Sequence, residues 1–337
     1  MNIKTTLAAA TLLAGLTATG AVAATGNRFP STPSSFENNV RAAGPCKEIY
    51  LSDATAGSDL LYTIPGYASY TPMPALPAAD NGWGLYAARK AVYAGESVGK
   101  IDIYLPCTHT EIHPGPLTTA GYAPPFSIAV DYANNVYASE FGNPTIDWFT
   151  AGGVDTATTT DATYRSNVPY YLAVDNVGNV YTSGWDPTSS FEQIDVCTPH
   201  MTSCTFCEAI PGPSWPGGLA VDEYQHLIVN NEIGSIYVYN AGCGTLASSS
   251  VYSATNSLTH FHFAPITVDK NENAIFGAKQ FDVSQVGCTT PYCMDAQAVH
   301  YNPTFGTLGV IAPAKHTPVI SGDGPGGGIA VWPPGPV

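Results

Sequence analysis

One pattern recurs along this chain at a nearly fixed period. The segment Ile128-Ala129-Val130-Asp131 followed by Asn135-Val136-Tyr137-Ala138-Ser139 returns as Leu172-Ala173-Val174-Asp175 with Asn179-Val180-Tyr181-Thr182-Ser183. It returns again as Leu219-Ala220-Val221-Asp222 with Leu227-Ile228-Val229-Asn230, and as Ile266-Thr267-Val268-Asp269 with Ala274-Ile275-Phe276-Gly277. The aspartates at 131, 175, 222 and 269 are spaced 44, 47 and 47 residues apart. A repeat of about 40 to 47 residues, each unit too small to bury its own apolar face, is the signature of an array of stacked units.

Each unit holds an apolar strand ending in Asp, a turn, a second strand of β-branched and aromatic residues, a loop, and a third strand such as Thr145-Ile146-Asp147-Trp148-Phe149. Short strands with turn residues between them and no helical period predict an all-β fold, and four strands per unit predict a β-propeller blade. A degraded copy runs through Gly84-Leu85-Tyr86-Ala87-Ala88, Ala91 to Glu96 and Lys100 to Tyr104, making five full units. In the last full unit the third strand is expected at Val283-Ser284-Gln285-Val286. The chain ends supply a sixth: Ile49 to Asp53 and Asp59 to Ile64 read as second and third strands without a first, and Gly327 to Trp332 as the missing first strand. The expectation is a single six-bladed propeller over 46–337, closed by pairing the C-terminal strand into the N-terminal blade, with Gly324-Pro325-Gly326-Gly327-Gly328 as a flexible approach to it. Such closure removes an open sheet edge.

Residues 1–23 carry Lys4, an apolar run from Leu7 to Val22 and an Ala21-Val22-Ala23 end, which reads as a cleaved signal peptide. Residues 24–45 read as a flexible spacer. No later stretch reaches the roughly 20 apolar residues of a membrane helix, so no membrane insertion is expected. With Lys+Arg 11 against Asp+Glu 26 and a formal charge of −15, the chain lacks the clustered cations that nucleic acid requires. Only 11% of residues are charged, a composition common in exported bacterial proteins and compatible with self-association.

An exported chain keeps disulfides, and eight cysteines admit on the order of a hundred pairings. Cys107, Cys197, Cys243 and Cys288 each follow the third strand of a unit and so occupy equivalent turns. Cys288 can close a local hairpin with Cys293, and Cys197 can reach Cys204 or Cys207. Zinc at Cys204-Thr205-Phe206-Cys207, with His200 nearby, is the competing reading.

The run Pro125-Phe126-Ser127-Ile128-Ala129-Val130-Asp131, then Asn134 to Glu140, then Thr145 to Phe149, resembles the NHL repeat and its relatives, including the gluconolactonase-like and virginiamycin B lyase-like propellers. The likeness covers about Cys46 to Trp332. It implies a six-bladed propeller, while such propellers include lactonases, lyases, lectin-like binders and scaffolds. The lactonase-like relatives place a divalent metal in the central channel, and no residue of the lyases is carried over to this chain.

Aligned at the end of the second strand, the units present Asp53, Glu96, Glu140, Gly184, Asn231 and Lys279, with Asp186 and Glu232 just beyond. Carboxylates and an amide meeting at a channel mouth would suit Ca²⁺ or Mg²⁺, which take oxygen ligands. The same acids can instead cap their own turns. The Asp131, Asp175, Asp222 and Asp269 carboxylates, followed three residues later by Asn, Gly or Glu in most copies, read as turn-formers. His260 and His262 alternate before a first strand, and His262 with Glu140 and Glu232 makes the candidate catalytic set, since acid–base work at neutral pH favours His. His109, His113 and His200 read as surface residues. Trp185 and Trp215 are placed in loops and, with Asn231, are the candidate ligand contacts, whereas Trp148 and Trp332 are placed in strands. The preferred reading is a secreted non-catalytic binding or scaffold protein for an extracellular protein or carbohydrate, and the alternative is a divalent-metal-assisted lactonase or lyase.

Overall fold

The computed structural model describes residues 46–53, 60–63, 71–73, 83–96, 99–111, 117–119, 124–140, 142–150, 157–159, 168–186, 191–209, 218–231, 235–240, 242–244, 246–251, 265–268, 273–280, 293–302, 307–308, 315–316, 320–321, 325–332 and 334. The expected signal peptide and spacer lie outside them. Among the described residues the regular structure is all strand apart from a short 3-10 turn at Pro199–Met201, and no helix is long and apolar enough to cross a membrane.

Among the described residues the strands form six antiparallel sheets. Sheet 1 joins the chain ends: Pro325–Trp332 pairs with Glu48–Asp53, which continues through Leu60–Thr63 to Thr71–Met73. In that pairing Glu48 faces Trp332, Ile49 faces Val331 and Tyr50 faces Ala330. Sheets 2 to 5 are four-stranded meanders that begin at Leu85–Ala87, Pro125–Val130, Val168–Val174 and Gly218–Val221. Sheet 6 begins at Ile266–Val268 and Asn273–Gln280. There the third strand is Cys293–Asn302, running beside Asn273–Gln280 from His300 to Cys293. The expected third strand at 283–286 is thereby corrected, and Cys288 precedes the third strand of its unit. The replacement has the longer uninterrupted strand pattern, Met294-Asp295-Ala296-Gln297-Ala298-Val299, and eight backbone partners outweigh a four-residue match to the repeat.

The first strands pack on one another: Pro325–Trp332 touches Leu85–Ala87 and Ile266–Val268, and contacts also join Leu85–Ala87 to Pro125–Val130, Pro125–Val130 to Val168–Val174, Val168–Val174 to Gly218–Val221, and Gly218–Val221 to Ile266–Val268. Apolar burial lies in the seams between neighbouring sheets. Tyr50, Leu85, Tyr104 and Trp332 fill the seam of sheets 1 and 2, and Tyr93, Ile101, Ile128 and Phe149 the next. Tyr137, Ile146, Leu172 and Val180 fill the seam of sheets 3 and 4, and Tyr171, Ile194, Leu219 and Val229 that of sheets 4 and 5.

A polar link crosses two seams at the same repeat position. The Ser52 hydroxyl donates to the Trp83 carbonyl of the next sheet at 2.9 Å, and the Ser139 hydroxyl donates to the Tyr170 carbonyl of its next sheet at 2.7 Å. Both serines are the penultimate residue of a second strand, and both carbonyls stand two residues before the Leu of the following first strand. Ser52 also accepts from the Gly328 N–H at 2.9 Å, and Ser139 from the Ser127 N–H at 3.2 Å. Gly328 sits in a strand at this crossing, and a Cβ there would lie 2.5 Å from the Leu85 nitrogen and 2.6 Å from the Trp83 oxygen. This glycine serves close backbone approach, correcting its reading as flexible lead-in. Gly328→Ala must push two backbones apart and should cost about 2 kcal/mol in denaturant unfolding. Ser139→Ala, which strands a buried carbonyl and a buried N–H, should cost about 1–3 kcal/mol by the same measurement.

Candidate functional site

The first strands line a narrow common channel. Leu85, Ile128, Leu172, Leu219, Ile266 and Ile329 stand on its wall, one from each sheet. One end of the channel carries the turns between first and second strands. At this end a cleft runs between Arg89 of sheet 2 and Tyr132 of sheet 3, with Pro334, just past the closing strand, beside them.

In sheets 3, 4 and 5 this turn is organised by its aspartate. Asp131 accepts from the Asn135 N–H at 2.8 Å and from Asn135 Nδ2 at 2.7 Å, and the Tyr137 hydroxyl reaches its second oxygen at 3.3 Å. Asp175 repeats the set with Asn179 and Tyr181. In sheet 5 the imidazole of His226 replaces the amide, at 2.8 Å from Asp222. The carboxylate therefore binds the residue four positions on, with its neighbour at three supplying the turn's positive φ: Asn134, Gly178 and Gln225. The buried carboxylates and phenols depend on one another, which burial and the Asp175 charge register by holding the Tyr181 hydroxyl well above its ordinary pKa. Asp269 lies outside the described residues.

The same end is laced between sheets. The Arg89 guanidinium stacks 4.1 Å from the centre of the Tyr132 ring and donates to its hydroxyl, and the Asn176 N–H donates to Gln225 Oε1 at 2.8 Å. Two disulfides staple neighbours here: Cys46–Cys107 joins sheet 1 to the turn after Lys100–Tyr104, and Cys207–Cys243 joins sheet 4 to sheet 5. Cys197–Cys204 closes a hairpin, one of the two expected options, while Cys207 pairs across the seam instead. These six cysteines are in disulfides, so Cys204-Thr205-Phe206-Cys207 is not a zinc site. Cys288, and with it a Cys288–Cys293 bond, lies outside the described residues. Every non-glycine residue with positive φ among the described residues sits in a turn at this end, including Cys107, His109, His200 and Cys243. Backbone in that region is strained unless its surroundings hold it. Three of the large apolar side chains left exposed, Tyr132, Val177 and Tyr224, occupy these turns in consecutive sheets at 47%, 54% and 46% exposure.

At the opposite end, Glu96 and Glu140 terminate their second strands, Val92–Glu96 and Val136–Glu140, and are buried. Glu140 accepts from Asn143 Nδ2 at 2.5 Å within its own turn. Asp53 and Asn231 also terminate second strands, opposite Pro325 and Ser235 respectively. Gly184 and Lys279 lie inside strands, opposite Gln193 and Met294, so the repeat position is a strand end in only some units. Trp185 belongs to the strand Val180–Asp186, paired with Val168 and Glu192, which corrects its placement in a loop. That strand runs on because Phe191–Cys197 offers backbone partners as far as Phe191. Trp215, Glu232, His260 and His262 lie outside the described residues.

Sequence reasoning missed a third cluster. Glu48, 1% exposed, accepts from the Tyr50 hydroxyl, from the Cys107 N–H at 3.2 Å and from His109 Nε2 at 3.1 Å. His109 is therefore a half-buried partner of a carboxylate, not the surface residue expected. Burial pushes the Glu48 carboxyl up, but His109, Tyr50 and the Cys107 N–H together overcome it and hold it below its ordinary 4.5. No repeat register points to this residue, because it meets its partners across a seam.

The sequence matches no family model and no curated protein sequence. Its structure resembles a chain from the crystal structure of a nidogen/laminin complex, with TM-score 0.60, 12% identity, and coverage of 85% of this chain and 98% of that one. This likeness and the all-β sheets support a β-propeller fold for the present chain. As many as 1348 solved chains match, so the architecture is too widely shared to carry a function. Because Glu48 is ionised more readily folded than unfolded, its contribution is complete above about pH 4.5 and lost as pH falls through its lowered value. Glu48→Gln should accordingly flatten the acid limb of the urea midpoint against pH, while leaving the slope near neutrality unchanged.

Proposed function

We propose that the six sheets are the blades of a propeller ring closed by the pairing of Pro325–Trp332 with Glu48–Asp53, that the chain is secreted after loss of residues 1–23, and that it is a non-catalytic binding or scaffold protein for an extracellular protein partner. The observation that carries the binding reading is the row of exposed Tyr132, Val177 and Tyr224 on three consecutive sheets at one end of the channel. Rigid aromatic side chains on a surface poor in charge make effective interface anchors, since little conformational freedom is lost when they are covered. The Arg89–Tyr132 stack and the Asn176–Gln225 bond support the same reading by holding neighbouring turns in place before any partner arrives. Disulfides support an oxidising destination. The resemblance to a chain in a protein–protein complex is compatible with a protein partner.

Extracellular proteins from the source organism, passed over the immobilised protein, should be retained by the unaltered chain and lost about 10-fold or more with Tyr132→Ala/Tyr224→Ala, at the level of two interface anchors. Equal retention by both proteins would overturn the reading. So would retention of glycans alone, or one tightly held divalent ion per chain whose removal abolishes a lactonase or lyase activity.

A further inference from the structure

The carboxylate of Glu48 does more than meet His109. One of its oxygens and the sulfurs of Cys46 and Cys107 all lie within 4.8 Å of one another, behind a side chain that is 1% exposed. While the sulfurs are bonded to each other, the cluster carries a single negative charge, answered by Tyr50, His109 and the Cys107 N–H. A disulfide has no electrostatic need of a buried carboxylate beside it.

Opening the S–S bond alters that balance. A two-electron reductant, a dithiol or a phosphine, delivers two electrons while two protons are taken up, leaving two thiols and the oxidised reductant. Should both thiols ionise, three negative charges would lie within 4.8 Å of one another beside one imidazole, a repulsion that a cation entering between them relieves. Two thiolates and a carboxylate are a ligand set for Zn²⁺, with Zn–S near 2.3 Å and Zn–O near 2.0–2.2 Å. Tetrahedral geometry then asks for sulfurs about 3.7 Å apart. The two Cα atoms stand 5.7 Å apart, so rotation of the cysteine side chains opens that distance without moving the strands.

We propose that the reduced form of this chain holds one Zn²⁺ on Cys46 Sγ, Cys107 Sγ and a Glu48 oxygen, with solvent in the fourth position. His109, hydrogen-bonded to the Glu48 carboxylate, acts as a positioning residue, as outer partners of metal ligands commonly do. Metal entry displaces the two thiol protons, and a small-molecule disulfide that accepts two electrons and leaves as two thiolates restores the Cys46–Cys107 bond and releases the metal. The seam between sheets 1 and 2 is thus cross-linked in either redox state, by sulfur in one and by the metal in the other.

The test uses the full mature protein, reduced with a phosphine under nitrogen and titrated with Zn²⁺ against a chromophoric chelator, and with Co²⁺ followed by absorbance. The control is Cys46→Ser/Cys107→Ser treated identically, since reduction also opens the other disulfides. The expected result is one additional Zn²⁺ per chain in the unaltered protein, with thiolate-to-cobalt charge-transfer bands that the control lacks. Glu48→Gln and His109→Gln keep both cysteines and can be purified folded before reduction. Each should weaken Zn²⁺ by about 10- to 100-fold, and the Glu48→Gln variant should also shift the tetrahedral cobalt bands. Equal stoichiometry and equal cobalt spectra for the unaltered protein and the double variant would overturn the site, by assigning any metal to the remaining cysteines. Unchanged affinity in Glu48→Gln would overturn the carboxylate's place in it. Loss of the near-ultraviolet circular dichroism of the reduced protein with no metal bound would also count against the proposal.

Discussion

Everything in this structure rests on neighbouring sheets approaching closely enough at their first strands for backbone to meet backbone. The Ser52 and Ser139 hydroxyls show how that approach is held, each reaching a carbonyl in the next sheet from near the end of a second strand. Hydrogen bonding within a sheet satisfies the strands, but it says nothing about how sheets face one another. A buried serine fills that gap, because it meets an otherwise unpaired carbonyl while allowing a separation that a longer side chain would prevent. Where the approach is tightest, at Gly328 against Leu85 and Trp83, even a methyl group is excluded.

From that constraint follows the division of labour between the two ends of the channel. The apolar seams end in turns whose aspartates are saturated by their own strand, through Asn135 and Tyr137 or Asn179 and Tyr181. Carboxylates so engaged are structural, and they free the outward positions of the same turns to differ between sheets. Tyr132, Val177 and Tyr224 stand at those positions. Positive-φ residues, inter-sheet disulfides and the Arg89–Tyr132 stack gather at the same end, so the variable residues are displayed on a stiff support. The opposite end presents buried Glu96 and Glu140, the latter bound within its own turn.

Much of the fold was legible because its units repeat. Ile128 to Asp131 and Val136 to Glu140 could be read as a hairpin from alternation and turn residues, and the structure pairs them from Pro125 opposite Glu140 to Val130 opposite Val136. The partnership of the chain ends was legible for the same reason, since each fragment lacked what the other possessed. Reasoning by repeat position failed where a unit departs from its template. In sheet 6 the third strand lies at Cys293–Asn302, well past the position that spacing suggested. Trp185 is in a strand because its hairpin partner, Phe191–Cys197, runs long.

The amino-acid order by itself determined the all-β class, the unit length, the membership of most strands and the aspartate turns, because alternation and short turns act over a few residues and leave their period in the sequence. Only the tertiary structure decided that Cys46 meets Cys107, that Cys207 crosses to Cys243, and that Glu48 finds His109. Those contacts join side chains 36 to 61 residues apart across seams. Their geometry is set by how whole sheets stack, a relation that no local periodicity encodes.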